Sequence, residues 1–378
     1  MKRLLIIGGG EMQVPIIKKA KELKNYCIVS DFDPLAPGFK YADVCINVST
    51  LDLNKTLEIA QKYKIDGVIT TSDYPVRTLA YICDKTGLKG LSSYSAGICT
   101  DKFLQREILS STKYYVPKHF MFSSVKEMQS HINDLSFPLI VKPIDSSASR
   151  GVSKVENREE LIPAFNDALG FSHGEKVIIE EFIYGREYSV ESLTQNNKTH
   201  VIAITQKSTN GSNNKYFVES RHIVPADLSG EEKSDIESYV RDIIKTLKIN
   251  NSATHTEIKL SPKGIVMMEI GGRLGGDFIT SDLVPLSTGI DMLDNIIKIA
   301  LGEKINIKKT RSTFAGIRFI NSDNYSNAKR IVDSKNKQII KYNFKPYKNT
   351  QITNSLDRLG YVIACCPERK ELEDLLNF

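Results

Sequence analysis

Two glutamates separated by twelve positions are the residues whose type and spacing most directly suggest chemistry. Glu257 and Glu269 flank the turn sequence 261–264, Ser-Pro-Lys-Gly, so the segment is predicted to form a β-hairpin. A turn centred on Lys263 would place the two side chains opposite each other, with Cβ atoms about 5 Å apart. Carboxylates this close repel unless a cation lies between them, and Mg²⁺ prefers such oxygen ligands. A two-residue loop would instead offset the pair by one residue and turn the side chains to opposite faces. The alternative to a metal site is that both glutamates are simply exposed to solvent.

A polar loop after a predicted strand suggests a second function, phosphate binding. The strand 138–143 carries Lys142, and residues 145–152 read Asp-Ser-Ser-Ala-Ser-Arg-Gly-Val. Such a loop can fold N–H groups and hydroxyls around phosphate oxygens, while the lysine supplies a positive charge. The Walker sequence Gly-x-x-x-x-Gly-Lys-[Ser/Thr] is absent, and an ordinary surface loop is the alternative.

Residues 1–100 alternate between predicted strands and helices. This pattern is typical of a parallel sheet, whose ligands lie beyond the carboxyl ends of its strands. The glycines 8–10, Asp31 and Ser72-Asp73 are predicted to share that edge. An acidic residue about twenty positions after the glycines also suggests dinucleotide binding. Because Gln13 replaces the third glycine of that fingerprint, a nicotinamide site is the weaker interpretation.

Composition and charge limit the class of protein. The chain has 378 residues, of which 41% are hydrophobic and 25% charged, so two or three globular domains are expected. We expect no signal peptide and no membrane partner, because no apolar run approaches the roughly 20 residues of a membrane span. Six cysteines without Cys-x-x-Cys spacing favour a reducing cytoplasmic location. A net charge of +6 without a long basic run favours phosphate-bearing small molecules over nucleic acid.

An ordered set of motifs gives the sequence a family resemblance. In order, these are Lys102, Lys142, the loop 145–152, the segment 180–187 (Glu-Glu-Phe-Ile-Tyr-Gly-Arg-Glu), Glu257 and the segment 269–273. Their order, with the twelve-residue spacing of the glutamates, resembles the ATP-grasp superfamily of carboxylate–amine ligases over most of residues 1–305. The segments 216–225 and 269–277 look more like the amino-acid ligase branch, which makes dipeptides.

The resemblance implies an α/β and α+β fold in three parts. These are an N-terminal Rossmann-like parallel-sheet domain (1–100), a two-lobed ATP-grasp body (101–305) and a small C-terminal α+β domain (306–378). The implied activity joins a carboxylate, expected to be an amino acid, to an amine through an acyl phosphate. Its cofactors would be ATP and Mg²⁺, with Mn²⁺ as an alternative ion. Dimers are common in this family, so a homodimer is one expectation.

The resemblance also implies roles for individual residues. The nucleotide contacts would be Lys102, Lys142, Ser146, Ser147, Ser149, Gly151, Val152, Glu180, Glu181, Ile183 and Glu187. Glu257 and Glu269 would bind the metal, while Lys142 and Arg273 would act on the transferred phosphoryl group. The substrate residues would be Glu219, Arg221, His222, Gly275, Gly276 and Asp277, with Ser72-Asp73 and Arg318 as further candidates.

One position departs from the family pattern. The family usually has Glu-x-Asn-x-Arg after the second glutamate, and Gly271 occupies the asparagine position here. The change removes one implied metal ligand, which a water or substrate oxygen could replace. This loss leaves open a nucleotide-binding protein without turnover. A second alternative keeps the fold but changes the acceptor, as in a bicarbonate-phosphorylating or carbamoyl-phosphate-type enzyme.

Overall fold

Three β-sheets organise the residues that the computed structural model describes, which are 1–146, 149–209, 217–349 and 352–378. The first sheet is parallel, the second and third are antiparallel, and helices cover them. This mixed architecture confirms the predicted fold class. In the described part of the chain, no helix is both long enough and apolar enough to cross a bilayer.

The first sheet is parallel, and most of its short apolar strands are buried on both faces, because helices connect the strands and cover the sheet. Leu4 and Ile6 pack into one core, whereas Leu5 and Ile7 pack into another on the opposite face. The strand order is β3-β2-β1-β4. The elements are β1 (Arg3–Ile7), α1 (Val14–Glu22), β2 (Tyr26–Asp31), β3 (Val44–Asn47), α2 (Leu53–Tyr63), β4 (Gly67–Ile69), α3 (Val76–Thr86), α4 (Ser93–Cys99) and α5 (Lys102–Ser110).

The backbone of the glycine loop after β1 forms hydrogen bonds to other residues of the chain. The Gly9 N–H donates to Asp31 Oδ2 at 2.7 Å, and the Gly38 N–H donates to the Gly9 carbonyl at 2.6 Å. A dinucleotide needs such loop N–H groups for its pyrophosphate. Because the Asp31 carboxylate already takes this position, the structure disfavours the nicotinamide interpretation.

A small antiparallel sheet of order β5-β8-β6-β7 forms a separate lobe with its own core. Strand pairing sets Ile140 against Glu180, which brings the strand of Lys142 beside the strand of Glu180. The elements of the lobe are β5 (His119–Phe122), α6 (Val125–Ser130), β6 (Leu139–Pro143), β7 (Ser153–Val155), α7 (Arg158–Gly170) and β8 (Val177–Glu181).

The largest sheet has eight antiparallel strands in the order β13-β12-β9-β10-β11-β14-β16-β15. The strands of residues 306–378 join it through the β11–β14 pairing, and the boundary predicted at 305/306 remains a prediction. The elements are β9 (Arg186–Gln195), β10 (Lys198–Thr209), β11 (Glu219–Val224), α8 (Gly230–Thr246), β12 (Ser252–Ser261), β13 (Gly264–Gly271), α9 (Val284–Thr288), α10 (Met292–Ala300), β14 (Phe314–Ile320), α11 (Tyr325–Asp333), β15 (Ile339–Phe344), β16 (Gly360–Cys366) and α12 (Arg369–Leu375).

A β-bulge in the hairpin β12–β13 sets the orientation of the two glutamates. The loop has two residues, because Ser261 pairs with Gly264, and that loop alone would offset the pair. The register then shifts at Met268, so that Glu257 pairs directly with Glu269. A bulge adds one residue to one strand and re-aims the side chains beyond it. The side chains therefore face each other because of the bulge, although opposite faces were predicted for a two-residue loop.

Helix α5 covers the outer edge of β13. The Gln105 side chain exchanges hydrogen bonds with both backbone groups of Ile270, and Arg106 donates to the Met268 carbonyl at 2.8 Å. Buried backbone groups need such partners. The bulge is thus held by the helix that begins at Lys102.

Candidate active site

Two adjoining cavities lie against the large sheet: the small one faces the small lobe, and the large one faces the loops of the first sheet. The small cavity has a volume of about 180 Å³ and the large cavity about 700 Å³. Four residues line both: Glu219, His255, Glu257 and Arg273. Groups in one cavity can therefore act on a molecule held in the other.

A buried carboxylate joins two cations beside the small cavity. Glu180 is fully buried, and Arg106 donates to its two oxygens at 2.9 and 3.3 Å. Lys142 donates to the same carboxylate. Burial opposes ionisation, but the charges of Arg106 and Lys142 outweigh it and lower the pKa of Glu180 to about 2. Burial, together with the charge of Arg106, also lowers the pKa of Lys142. The cluster holds more positive than negative charge, which favours binding of an anion.

Lys102 contacts both the polar loop 145–152 and Glu269, the second of the paired glutamates. Its Nζ donates to the Ser146 carbonyl at 2.7 Å and lies 3.0 Å from Glu269 Oε1. The lysine takes this position because Asp101 caps α5 and accepts a hydrogen bond from the Leu104 N–H. The ammonium group therefore faces both the loop and the carboxylate.

The paired glutamates suit a hard divalent cation. Glu257 Oε1 lies 2.7 Å from Lys207 Nζ and 3.4 Å from His255 Nε2. Burial favours its neutral form, but the charges of Lys207 and His255 hold the pKa of Glu257 well below its usual range. Within the residues described, no cluster of three or more His, Cys, Asp or Glu side chains could hold a metal. Mg²⁺ commonly binds one or two carboxylates and takes its other oxygens from phosphates and water, so the pair fits such an ion.

Lys207, which the sequence analysis did not identify, lies among three carboxylates. Its Nζ is 2.7 Å from Glu257, 3.3 Å from Glu187 and 3.3 Å from Glu219. Burial would lower the pKa of Lys207, but these three charges raise it well above its usual value. No local motif marks this residue, because its partners come from three other strands.

His255 is held between two carboxylates at the junction of the cavities. Its Nδ1 lies 2.6 Å from Oε1 of the fully buried Glu191. Burial alone would lower the pKa of His255, but Glu191 and Glu257 raise it to about 9. A Cβ at Gly275 would lie 2.6 Å from His255 Nδ1 and 2.7 Å from Glu191 Oε2. Gly275 therefore provides packing space for this pair and does not line either cavity.

The substrate candidates of β11 divide between the two faces of the sheet. Lys207 of β10 pairs with His222, and Thr209 pairs with Glu219. Because the bulge at Ser220 adds one residue to β11, Glu219 and His222 lie on the same face, which is the face of the cavity. Arg221 pairs with Ser208 and lies on the opposite face. The structure therefore does not bring Arg221 to the cavities, since alternate strand residues face opposite sides.

An arginine that the sequence analysis missed lies in the wall of the large cavity. Arg358 Nη1 donates to both oxygens of Asp277 at 3.0 and 2.9 Å, and its Nη2 donates to Glu219 Oε2 at 2.9 Å. Its guanidinium lies 3.6 Å from the centre of the Phe319 ring. His222 completes the group, with Nε2 3.5 Å from Asp277. Asp277 also adopts a left-handed conformation with φ of 50°, a strain that clusters at functional sites.

Most of the residues predicted to contact the nucleotide line the small cavity. It is lined by Lys102, Lys142, Ser146, Ser149, Val152, Glu180 and Glu187. Glu181, Gly151 and Ile183 do not line it: Glu181 pairs with Lys263 near the surface, and the Ile183 carbonyl accepts from Lys259 at 3.1 Å. Ser147 lies outside the described residues.

Two aromatic residues of the small cavity were also missed. The rings of Phe182 and Phe217 have centroids 5.9 Å apart, and Lys259 Nζ lies 4.9 Å from the centre of the first. Both rings line the cavity. Flat apolar walls of this kind suit a purine base, with the lysine as a polar contact at its edge.

Comparisons with known proteins find an ATP-grasp domain in this chain. Residues 135–282 match the family model of the ATP-grasp domain. Alanine–anticapsin ligase of Bacillus subtilis (strain 168) is 25% identical over 230 residues, which are 55% of this chain and 48% of that protein. The match thus spans about half the length of that ligase. An uncharacterized protein of Sinorhizobium fredii is 24% identical over 380 residues, 96% of this chain and 78% of that protein.

A solved structure has the same fold over the whole chain. The L-amino acid ligase from Bacillus licheniformis is 22% identical, with a TM-score of 0.82 over 100% of this chain and 96% of that chain. The predicted fold is therefore confirmed over the whole chain, and the predicted ATP-grasp resemblance is confirmed by the domain match over residues 135–282.

Proposed function

We propose that this chain, which carries an ATP-grasp domain, is an ATP-dependent ligase that joins a carboxylate to an amine. The carboxylate is phosphorylated by ATP, the amine attacks the acyl phosphate, and ADP and phosphate leave. The observation that carries this proposal is the wall common to both cavities, formed by Glu219, His255, Glu257 and Arg273. It allows a phosphoryl donor in one cavity to meet an acceptor in the other.

The small cavity is the proposed nucleotide site. Phe182 and Phe217 would enclose the base, while Lys102 and Lys142 would bind the phosphates. Phosphoryl transfer requires mainly positioning and charge neutralisation. The excess positive charge around Lys142 supplies part of that neutralisation before any metal is considered.

Glu257 and Glu269 are the proposed metal ligands. These two residues would hold Mg²⁺, whose charge would help to neutralise the transferred phosphoryl group. Lys102 orients Glu269, and Lys207 with His255 orients Glu257. The charges of Lys207 and His255 keep Glu257 ionised, and both carboxylates line the cavity.

The large cavity is the proposed site of the carboxylate and amine substrates. Its volume of about 700 Å³ is far greater than bicarbonate requires. Its wall presents cations, Arg273 and Arg358, together with anions, Glu219 and Asp277. Opposite charges on one wall suit a zwitterion, and arginine binds carboxylates in a bidentate manner. This favours amino-acid substrates over the bicarbonate alternative.

An ADP-release screen tests the proposal. The purified chain is incubated with ATP, Mg²⁺ and pairs of amino acids or other small carboxylates, and the products are identified by mass spectrometry. We expect ADP release that depends on a particular pair, together with a product of the amide mass. Release that depends on bicarbonate alone would support the carboxylase-type alternative, and no release with any carboxylate would support a protein without turnover.

Two substitutions test the site itself. Lys142→Ala and Glu269→Ala should each lower substrate-dependent ADP release at least about 100-fold, because both remove charge that stabilises the transferred group. Glu181→Gln is the matched control, since this neighbour of Glu180 does not line the cavity. Wild-type turnover in both cavity variants would contradict the site assignment.

A further inference from the structure

We propose that the large cavity contains an apolar subsite for the side chain of one substrate, an amino acid whose side chain is bulky and apolar. Four residues would form it, Met12, Phe278, Leu356 and Tyr361, which all line the large cavity and do not line the small one. The inference rests on the proposed function, because it names the substrate class of the same site. It makes these four side chains the determinants of which amino acid is used.

The backbone of Phe278 is the first observation. Its φ of 62° lies in the left-handed region, where a bulky side chain is a genuine outlier. The Phe278 carbonyl accepts hydrogen bonds from the N–H groups of Asp282 and Leu283, both at 3.0 Å. The Ile279 N–H donates to the Gly276 carbonyl at 2.9 Å, so the turn is held on both sides. Strain that the surrounding structure maintains in this way is typical of functional sites.

The position of the Phe278 ring is the second observation. Its centroid lies 4.3 Å from that of Tyr361, with the ring planes inclined at 41°. Lys341 Nζ lies 4.8 Å from the centre of the Phe278 ring and 3.2 Å from Asp282, which orients it. Both rings pack against the core and are only partly buried. Rings that are ordered before a ligand arrives lose little conformational freedom when it binds.

Tyr361 belongs to a row of three side chains on the cavity face of the large sheet. It pairs directly with Phe319 of β14 and with Asn343 of β15, and opposed residues point the same way. Phe319 is covered, because the Arg358 guanidinium lies 3.6 Å and the His222 ring 5.5 Å from its ring centre. Tyr361 is therefore the aromatic ring of this row that stays accessible to a ligand.

Two exposed apolar side chains line the same cavity. Met12 is 48% exposed and Leu356 is 69% exposed. Met12 follows the glycine loop of the first sheet, whereas Leu356 precedes β16. A bulky apolar side chain that covers these groups removes their surface from water, which favours binding. Alanine offers too little apolar area to do the same.

The test compares leucine and phenylalanine with alanine in the full-length chain. Binding of each amino acid is measured by isothermal titration calorimetry with ADP and Mg²⁺ present, and ADP release is measured in parallel. We expect the wild type to bind leucine or phenylalanine at least about tenfold more tightly than alanine, since even one methylene in an apolar pocket is worth about tenfold. Phe278→Asn should remove most of this preference, because asparagine tolerates the left-handed conformation but lacks the ring.

Leu356→Asn is a second variant that does not endanger the fold, because its side chain is largely exposed. It should lower the preference for the bulky amino acid about threefold. Leu35→Asn is the matched control, since Leu35 is 85% exposed but lines neither cavity. Its preference should equal that of the wild type. A general structural defect would weaken the binding of alanine to the same extent, so the ratio of affinities separates the two explanations.

Three results would overturn the inference: a wild type without preference for leucine or phenylalanine over alanine, a preference unchanged in Phe278→Asn and Leu356→Asn, or an equal loss of affinity for alanine. If Phe278→Asn does not fold, Leu356→Asn decides alone. The proposed function fails separately. A wild type that prefers the bulky amino acid but releases no ADP with any pair would keep the subsite and overturn the ligase activity.

Discussion

Neutralising Glu180 should destabilise the small lobe by an amount that the structure allows us to calculate. Glu180→Gln keeps the shape of the side chain but removes the charge that two buried cations, Arg106 and Lys142, require. The pKa of Glu180 falls from 4.5 to about 2 on folding. At 1.36 kcal/mol for each pKa unit, the ionised carboxylate contributes roughly 3 kcal/mol to stability at pH 7. Loss of one partner of a buried ion pair commonly costs about 3–5 kcal/mol, which agrees.

The pH dependence separates this explanation from a packing defect. Because the pKa of Glu180 is lowered in the folded state, its contribution is complete above the unfolded pKa and is lost as pH falls toward 2. The difference between the wild type and Glu180→Gln should therefore be full at pH 7. By pH 3 it should shrink to roughly half or less.

Thermal unfolding followed by circular dichroism measures this difference. At pH 7 we expect the midpoint of Glu180→Gln to fall by roughly 4 °C if the chain of 378 residues unfolds as one unit, and by more if the small lobe unfolds separately. Glu181→Gln is the control, because Glu181 is partly exposed and its pair with Lys263 should contribute less than about 1 kcal/mol. Equal midpoints for the wild type and Glu180→Gln at pH 7, or a difference that persists undiminished at pH 3, would refute the reasoning.

Two further predictions concern the walls of the cavities. Gly275→Ala should lower thermal stability by about 1–3 kcal/mol and reduce ADP release, because its Cβ would lie 2.6 Å from His255 Nδ1. Gly276→Ala is the control for stability, since nothing lies within 4 Å of its Cβ; equal stabilities would contradict the packing argument. Arg358→Lys should raise the KM of the carboxylate or amine substrate about tenfold with a smaller change in kcat, since lysine lacks the planar fork that holds Asp277 through one nitrogen and Glu219 through the other. An unchanged KM in steady-state assays would remove Arg358 from the substrate site.

Local sequence patterns determined much of the fold and part of the site. The apolar run of β1 and the alternation that follows it predicted a parallel sheet, because short strands buried on both faces require such runs. The turn sequence between Glu257 and Glu269 predicted a hairpin, which the structure has, but the local pattern left open whether the two carboxylates face each other. The order of the lysines, loop and glutamates was enough to indicate the superfamily. Each of these signals depends on residues that are neighbours in sequence or follow one another in fixed order.

Only the tertiary structure decided how the site is completed. The bulge at Met268 depends on Arg106 of α5, whose guanidinium binds the carbonyl that the bulge exposes. Asp73 and Arg358 reach the cavity walls from opposite ends of the chain, where they meet Arg273 and Asp277. No local spacing encodes such pairs, because their energy comes from burying opposite charges together after sheets and helices have packed. Residues that are far apart in sequence become partners only through the fold, so their roles could be inferred only from the folded chain.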